Sequence, residues 1–269
     1  MVELVLKAGG SVLSDRESYF RLANDSISLL DEYERIHIIV SAKKGETSRL
    51  LNEHCNGNKL EIEVYNMAMK GQINPLLINQ DIQKNLANHL LQGEIESARE
   101  LKECFDELGC ESRIFEQGLG FPILANSNYL MGVLDIDASI SRYSKTELSK
   151  INVYAGFGAE NEHGEKVLLG RNRSDLVAAV VAHLVKNRNA GVRLIYLKDQ
   201  DGIIRNFGND NAELIPRISV DELMHGNYDQ ILCRDVYDYV DGFEIGICNA
   251  VKFDIRNPGT IIYRGVENV

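Results

Sequence analysis

Two arginines, a serine and an aspartate stand directly ahead of a long apolar stretch in VLLGRNRSDLVAAVVAHLV, residues 167–185. Ser174 and Asp175 suit a helix start, where a hydroxyl caps free N–H groups and an acid complements the positive end of the dipole. Arg171 and Arg173 do not suit it, because a cation sits badly at a helix N-terminus unless an anion is bound there. Related chemistry recurs where other short apolar runs end. They run into Lys7-Ala8-Gly9-Gly10-Ser11, into Ser41-Ala42-Lys43-Lys44-Gly45-Glu46-Thr47, into Gly156-Phe157-Gly158 and into Lys198-Asp199-Gln200-Asp201-Gly202. Glycine lets backbone N–H groups approach a ligand closely, and lysine adds a point charge, so the set reads as a site for a small anion. Each piece alone also reads as an ordinary turn or helix cap. The Lys7 loop is not a Walker loop, since its lysine precedes the glycines.

These residues need a scaffold that brings them together. Residues Glu3 to Lys7, Ile36 to Ser41, Glu111 to Phe115, Asn152 to Ala155 and Arg193 to Leu197 have the length and composition of strands. Between them lie helical patterns. Tyr19, Leu22, Ala23, Ile27 and Leu30 fall on one helix face, as do Leu101, Cys104, Phe105 and Leu108 ahead of Gly109, a glycine placed as a C-terminal cap. Strand alternating with helix predicts parallel strands and a layered α/β fold, with function at the carboxyl ends of the strands. No repeat, low-complexity segment or linker divides residues 1–269, so one domain is expected.

Composition narrows the function classes. The chain is 44% hydrophobic and 26% charged, ordinary for a globular protein, and it has no apolar run long enough to cross a membrane. MVELVLKAGG reads as a strand and not as a signal peptide. Five cysteines, odd in number and without a CxxC pair, predict reduced thiols and a cytoplasmic setting. A net charge of −11 excludes general nucleic-acid binding, yet leaves room for a local cationic cluster that holds a small anion.

In this order and spacing, KAGGSV, VSAKKGETSRLL, LLGRNRSD, KDQDGI and RNPGTII resemble the catalytic domain of aspartokinases, in the amino acid kinase superfamily. The resemblance runs from Leu4 to Ile262. It implies a three-layer αβα sandwich around a mostly parallel sheet. An acceptor lobe would span about residues 1–170 and a nucleotide lobe about 171–269. The implied reaction moves the γ-phosphoryl group of ATP, with Mg2+, onto an acidic acceptor, and the implied assembly is a homodimer. Lys7 would contact the transferring group, Gly9, Gly10 and Ser11 would cradle phosphate, and Asp175 would orient lysines. Ser41, Thr47, Arg171 and Ser174 would hold the acceptor, with Arg171 on a carboxylate. Asp199, Asp201 and Gly202 would meet the nucleotide. No residue is assigned to a protein-held metal.

The departures carry expectations of their own. The family's glutamate after glycine at a helix start, which binds the acceptor's amino group, is matched here to Gly71-Gln72. On that match the acceptor is an acid that lacks a free α-amino group, or carries it blocked or differently placed. Asn172 and Arg173 replace two glycines. A lysine near the nucleotide is absent from Gln230 to Arg234, and Lys198 stands where the family has threonine, so Lys198 is expected to supply the missing charge. The chain ends soon after Pro258-Gly259-Thr260, so feedback through an appended regulatory domain is not expected. The alternative reading is a relative that binds nucleotide or a small ligand without transferring phosphate.

Overall fold

The five apolar runs predicted as strands all lie in one sheet. The computed structural model describes residues 2–264, apart from Asn189, Asp210, Asn227, Asp229 and Gln230. In chain order the first half contains β1 (Val2–Ala8), α1 (Arg16–Ile27), β2 (Ile36–Val40), α2 (Glu46–His54), α3 (Lys59–Met69), α4 (Gln80–Leu90), α5 (Gln92–Glu107), β3 (Ser112–Phe115), β4 (Leu124–Ala125) and β5 (Leu134–Asp135). Then follow α6 (Ile136–Ser144), β6 (Ile151–Ala155), β7 (Gly158–Glu160), β8 (Lys166–Leu168), α7 (Ser174–Asn187) and β9 (Gly191–Lys198). The last part holds β10 (Ile204–Arg205), β11 (Glu213–Leu214), β12 (Arg217–Ser219), α8 (Val220–His225), a 3-10 helix at Arg234–Tyr239, β13 (Ile245–Asn249) and β14 (Thr260–Tyr263).

The main sheet has the strand order β12-β14-β13-β9-β1-β2-β6-β3. Its pairings are parallel except for β13 against β14. Buried Val, Ile and Leu fill β1 and β2, as expected of strands covered on both faces. Helices α1 and α5 form one covering layer, with α5 against β2, β3 and β6, and α7 with α6 forms the other, against β1, β2 and β9. Helix α7 is buried almost all round, from Leu176 through Val185, which is why its sequence lacks a polar stripe. The mostly parallel α/β sandwich is therefore as predicted.

Local signals set the helix ends. Asp15 caps α1 by accepting from Ser18 N–H at 2.9 Å. Helix α5 ends just before Gly109, whose φ of +68° is the left-handed conformation that terminates helices. A smaller sheet of order β5-β4-β7-β8 and the β10–β11 hairpin were not anticipated, because strands of two or three residues carry no readable period. Among the described residues no helix is long and apolar enough to cross a membrane.

Candidate active site

The carboxyl ends of β1 and β2 and the start of α7 open onto a cleft of about 310 Å³. Lys7, the penultimate residue of β1, is buried and places its Nζ 2.8 Å from Asp175 Oδ1 in the first turn of α7. Lys198, the last residue of β9, approaches the other oxygen, Oδ2, at 3.0 Å, and also donates to the Ile231 carbonyl at 3.1 Å. One buried carboxylate thus organises two ammonium groups. Burial alone would raise the Asp175 carboxyl, but the two lysines outweigh it and hold it below the usual carboxylate range. Burial pulls Lys198 down, against the pull of Asp175. The trio carries a net positive charge, which favours an anion in the cleft.

Glycines let the loops close on one another. A Cβ on Gly10 would stand 2.1 Å from the Ala42 carbonyl oxygen, and the Lys44 N–H donates to Gly10 O at 3.2 Å, so the loop after β1 locks against the loop after β2. That lock sets Ser11, Ser41 and Thr47 along the same cleft. Thr47 lies in the first turn of α2, whose N-terminal residue Gly45 provides no side-chain cap.

Arg171 reaches the cleft from the loop ahead of α7. Its Nη2 donates to Ser48 Oγ at 3.1 Å, while Nη1 is buried without a partner. No carboxylate pairs with it among the described residues, and burial pulls its pKa down. A guanidinium desolvated without a counter-charge is costly, and it makes sense where an arriving anion completes it.

The profile of the amino acid kinase family matches residues 3–232. The chain belongs to the amino acid kinase family. Among curated relatives, a bifunctional aspartokinase/homoserine dehydrogenase of Haemophilus influenzae is 30% identical over 178 residues, 64% of this chain and 21% of that protein. An aspartokinase of Helicobacter pylori is 28% identical over 230 residues, 82% of this chain and 49% of that one. This chain therefore spans about half the length of the second relative and a fifth of the first. In fold, it superposes on Escherichia coli aspartokinase III, solved with aspartate and ADP, with a TM-score of 0.73, 18% identity and coverage of 100% of this chain and 66% of that one. It also superposes on uridylate kinase from Archaeoglobus fulgidus, with a TM-score of 0.56, 16% identity and coverage of 97% and 99%.

Within this amino acid kinase fold, most of the residues predicted from sequence converge. Lys7, Gly10, Ser11, Ser41, Thr47, Arg171, Ser174 and Asp175 line the cleft, and Gly9 lies beside Lys7, its ideal Cβ 3.2 Å from Nζ. Lys198 does not line it and meets it only through Asp175. Asp199 is exposed at the end of β9, off the cleft. Asp201 is engaged elsewhere, accepting from Asn249 Nδ2 at 2.9 Å and Lys252 Nζ at 2.7 Å. Gly202 is needed for packing: a Cβ there would stand 2.3 Å from Thr260 Oγ1. This turn interlocks with the Pro258-Gly259-Thr260 segment.

Gln72 is not brought to the cleft. It is exposed in the turn after α3, and Gly71, at φ +68°, follows that helix and does not begin one. The glycine–glutamate pair at a helix start is Gly93-Glu94, in the first turn of α5. A Cβ on Gly93 would come 3.0 Å from the Glu46 side chain and 3.1 Å from that of Ala42, so glycine lets α5 begin close against the loop after β2 and α2. Glu94 is buried in the cleft and accepts from Ser174 Oγ at 3.4 Å. Burial pushes its pKa up to about 7, against the Ala42 N–H and Lys7, which favour the charged form.

Arg173 also differs from expectation. Its guanidinium pairs with Asp235 and does not line the cleft, so Asp235 accounts for this cation at the start of α7. The absent lysine near Gln230 falls at a position outside the described residues.

Proposed function

We propose that this protein is an ATP-dependent kinase that phosphorylates a carboxylate of a small acidic amino acid, giving an acyl phosphate and ADP. The observation that carries the reading is the uncompensated Arg171 guanidinium, placed in one cleft with the Lys7–Asp175–Lys198 trio. Arg171 is suited to grip the α-carboxylate bidentately. Glu94 pairs with the α-ammonium. The second carboxylate then lies toward Lys7. With Glu94 in the site, an amino-dicarboxylate such as aspartate fits, and the expectation of an acceptor lacking an amino group loses its basis in Gln72.

The chemistry asks little covalent help of the protein. A carboxylate oxygen attacks the γ-phosphorus, the bond from that phosphorus to the β–γ bridging oxygen breaks, and the electron pair leaves on ADP. The attacking group is already ionised, so no general base is required, and Asp175 is free to orient cations. Lys7, with Lys198 behind Asp175, would offset charge on the transferring oxygens, and the loop at Gly9–Gly10 would approach phosphate by its backbone. Mg2+ would arrive with the nucleotide. It keeps waters and phosphate ligands and needs only one or two carboxylates, and exposed Asp199 is one candidate.

The test is ADP release from MgATP with L-aspartate, with succinate, which lacks the ammonium, and with no acceptor. The reading expects release that depends on L-aspartate and is weak with succinate. Nucleotide binding without release across a panel of small amino acids and carboxylates would favour a relative that has lost transfer.

A further inference from the structure

The loop of residues 170–173 points two arginines in different directions. Arg171 enters the cleft, and its N–H is fixed by the Met69 carbonyl at 2.8 Å. Asn172 takes a φ of +59° and Gly170 one of +94°. A non-glycine residue in the left-handed region is held there by its surroundings. Arg173, the residue just before α7, is then carried to Asp235. Asp235 belongs to a segment whose Ile231 carbonyl accepts from Lys198. A single ion pair therefore ties the loop that presents Arg171 to the segment that flanks the Asp175–Lys198 pair. The arginine works against the α7 dipole unless Asp235 offsets it, so local helix stability alone does not account for the residue.

We propose that Arg173 is a positioning residue: through Asp235 it fixes the Arg171 loop and makes that loop respond to nucleotide, whose base would enter the mostly apolar pocket lined by Ile231, Leu232, Arg234 and Tyr237. This inference rests on the kinase reading. It implies that nucleotide and acceptor each tighten the other, since coupling between two sites is reciprocal.

Hydrogen–deuterium exchange of the full chain with and without MgADP tests it. In the wild type, MgADP slows exchange both in residues 231–239 and in residues 170–173, the latter by about fivefold or more. In Asp235→Asn the slowing at 231–239 persists and that at 170–173 disappears. The exchanged pair, Arg173→Asp with Asp235→Arg, restores it. A purely structural role would change exchange equally with and without MgADP. Loop protection unchanged in Asp235→Asn, or absent in the wild type while 231–239 is protected, overturns the positioning role alone. No protection in either segment removes the nucleotide reading and the coupling with it.

Discussion

Lys7 and Lys198, from the ends of adjacent parallel strands, grip opposite oxygens of one carboxylate, Asp175, at 2.8 and 3.0 Å. The pairing shows that Lys198 is not a solvated strand-end lysine, and on the proposed reading it belongs to the machinery. Lys198→Ala should cut turnover by roughly a hundredfold or more, from the ~2.7–4 kcal/mol typical of removing one preorganised electrostatic group. Lys7→Ala is the reference and should be at least as damaging. Single-turnover rates with saturating MgATP make the comparison, and near wild-type rates for Lys198→Ala would reject its role.

Arg171 is held half-desolvated in the cleft without a counter-charge. Arg171→Ala should raise the acceptor KM by about ten- to a hundredfold, the ~1.5–3 kcal/mol of a hydrogen bond to a charged group, while the MgATP dissociation constant stays put. Arg171→Met should raise the melting temperature of the ligand-free protein, because the buried unsatisfied donor is gone. Equal losses in nucleotide and acceptor binding would place Arg171 elsewhere in the mechanism.

Glu94 should give the acceptor step its pH dependence. Burial pushes its pKa up to about 7, from an ordinary carboxyl value of 4.5. The folded state therefore binds the proton more tightly than the unfolded state. Stability falls as pH rises from about the unfolded value to 7, then levels off. Pairing with an ammonium needs the ionised form, so the acceptor KM should fall by about tenfold per pH unit on approaching 7 from below. Glu94→Gln should abolish both trends. Gln72→Glu, on an exposed turn, should leave KM and melting temperature unchanged.

Gly10 should tolerate no side chain. The Ala42 carbonyl oxygen would lie 2.1 Å from a Cβ there. Gly10→Ala should destabilise the fold by roughly 1–3 kcal/mol of overpacking and depress turnover by parting the two loops. Chemical denaturation checks the first effect, and a variant as stable as wild type would show that the two loops can separate freely.

Most of the scaffold was legible because it rests on local pattern. The main parallel strands are continuous apolar runs; Lys7 and Ser41 follow from reading what comes after each run, and Asp175 from the helix start ahead of the apolar stretch 176–185. Matching the glycine–glutamate pair to Gly71-Gln72 missed Gly93-Glu94, whose acid the structure puts in the cleft. Gly71 ends a helix and Gly93 sits in the first turn of one, a difference visible in the buried series Ile95, Ala98, Leu101 and Phe105 that begins right after Glu94. Asp235 was not legible at all. An ion pair between a loop before α7 and a 3-10 helix far along the chain leaves no periodic trace in sequence, and only the fold brings Arg173 to it.

The central claim is transfer of the γ-phosphoryl group to a carboxylate, and trapping the product tests it most directly. With MgATP, L-aspartate and hydroxylamine, an acyl phosphate is captured as the hydroxamate. The account predicts hydroxamate formed in step with ADP by the wild type and lost in Lys7→Ala. ADP released without hydroxamate, or hydroxamate made equally by Lys7→Ala, would contradict it.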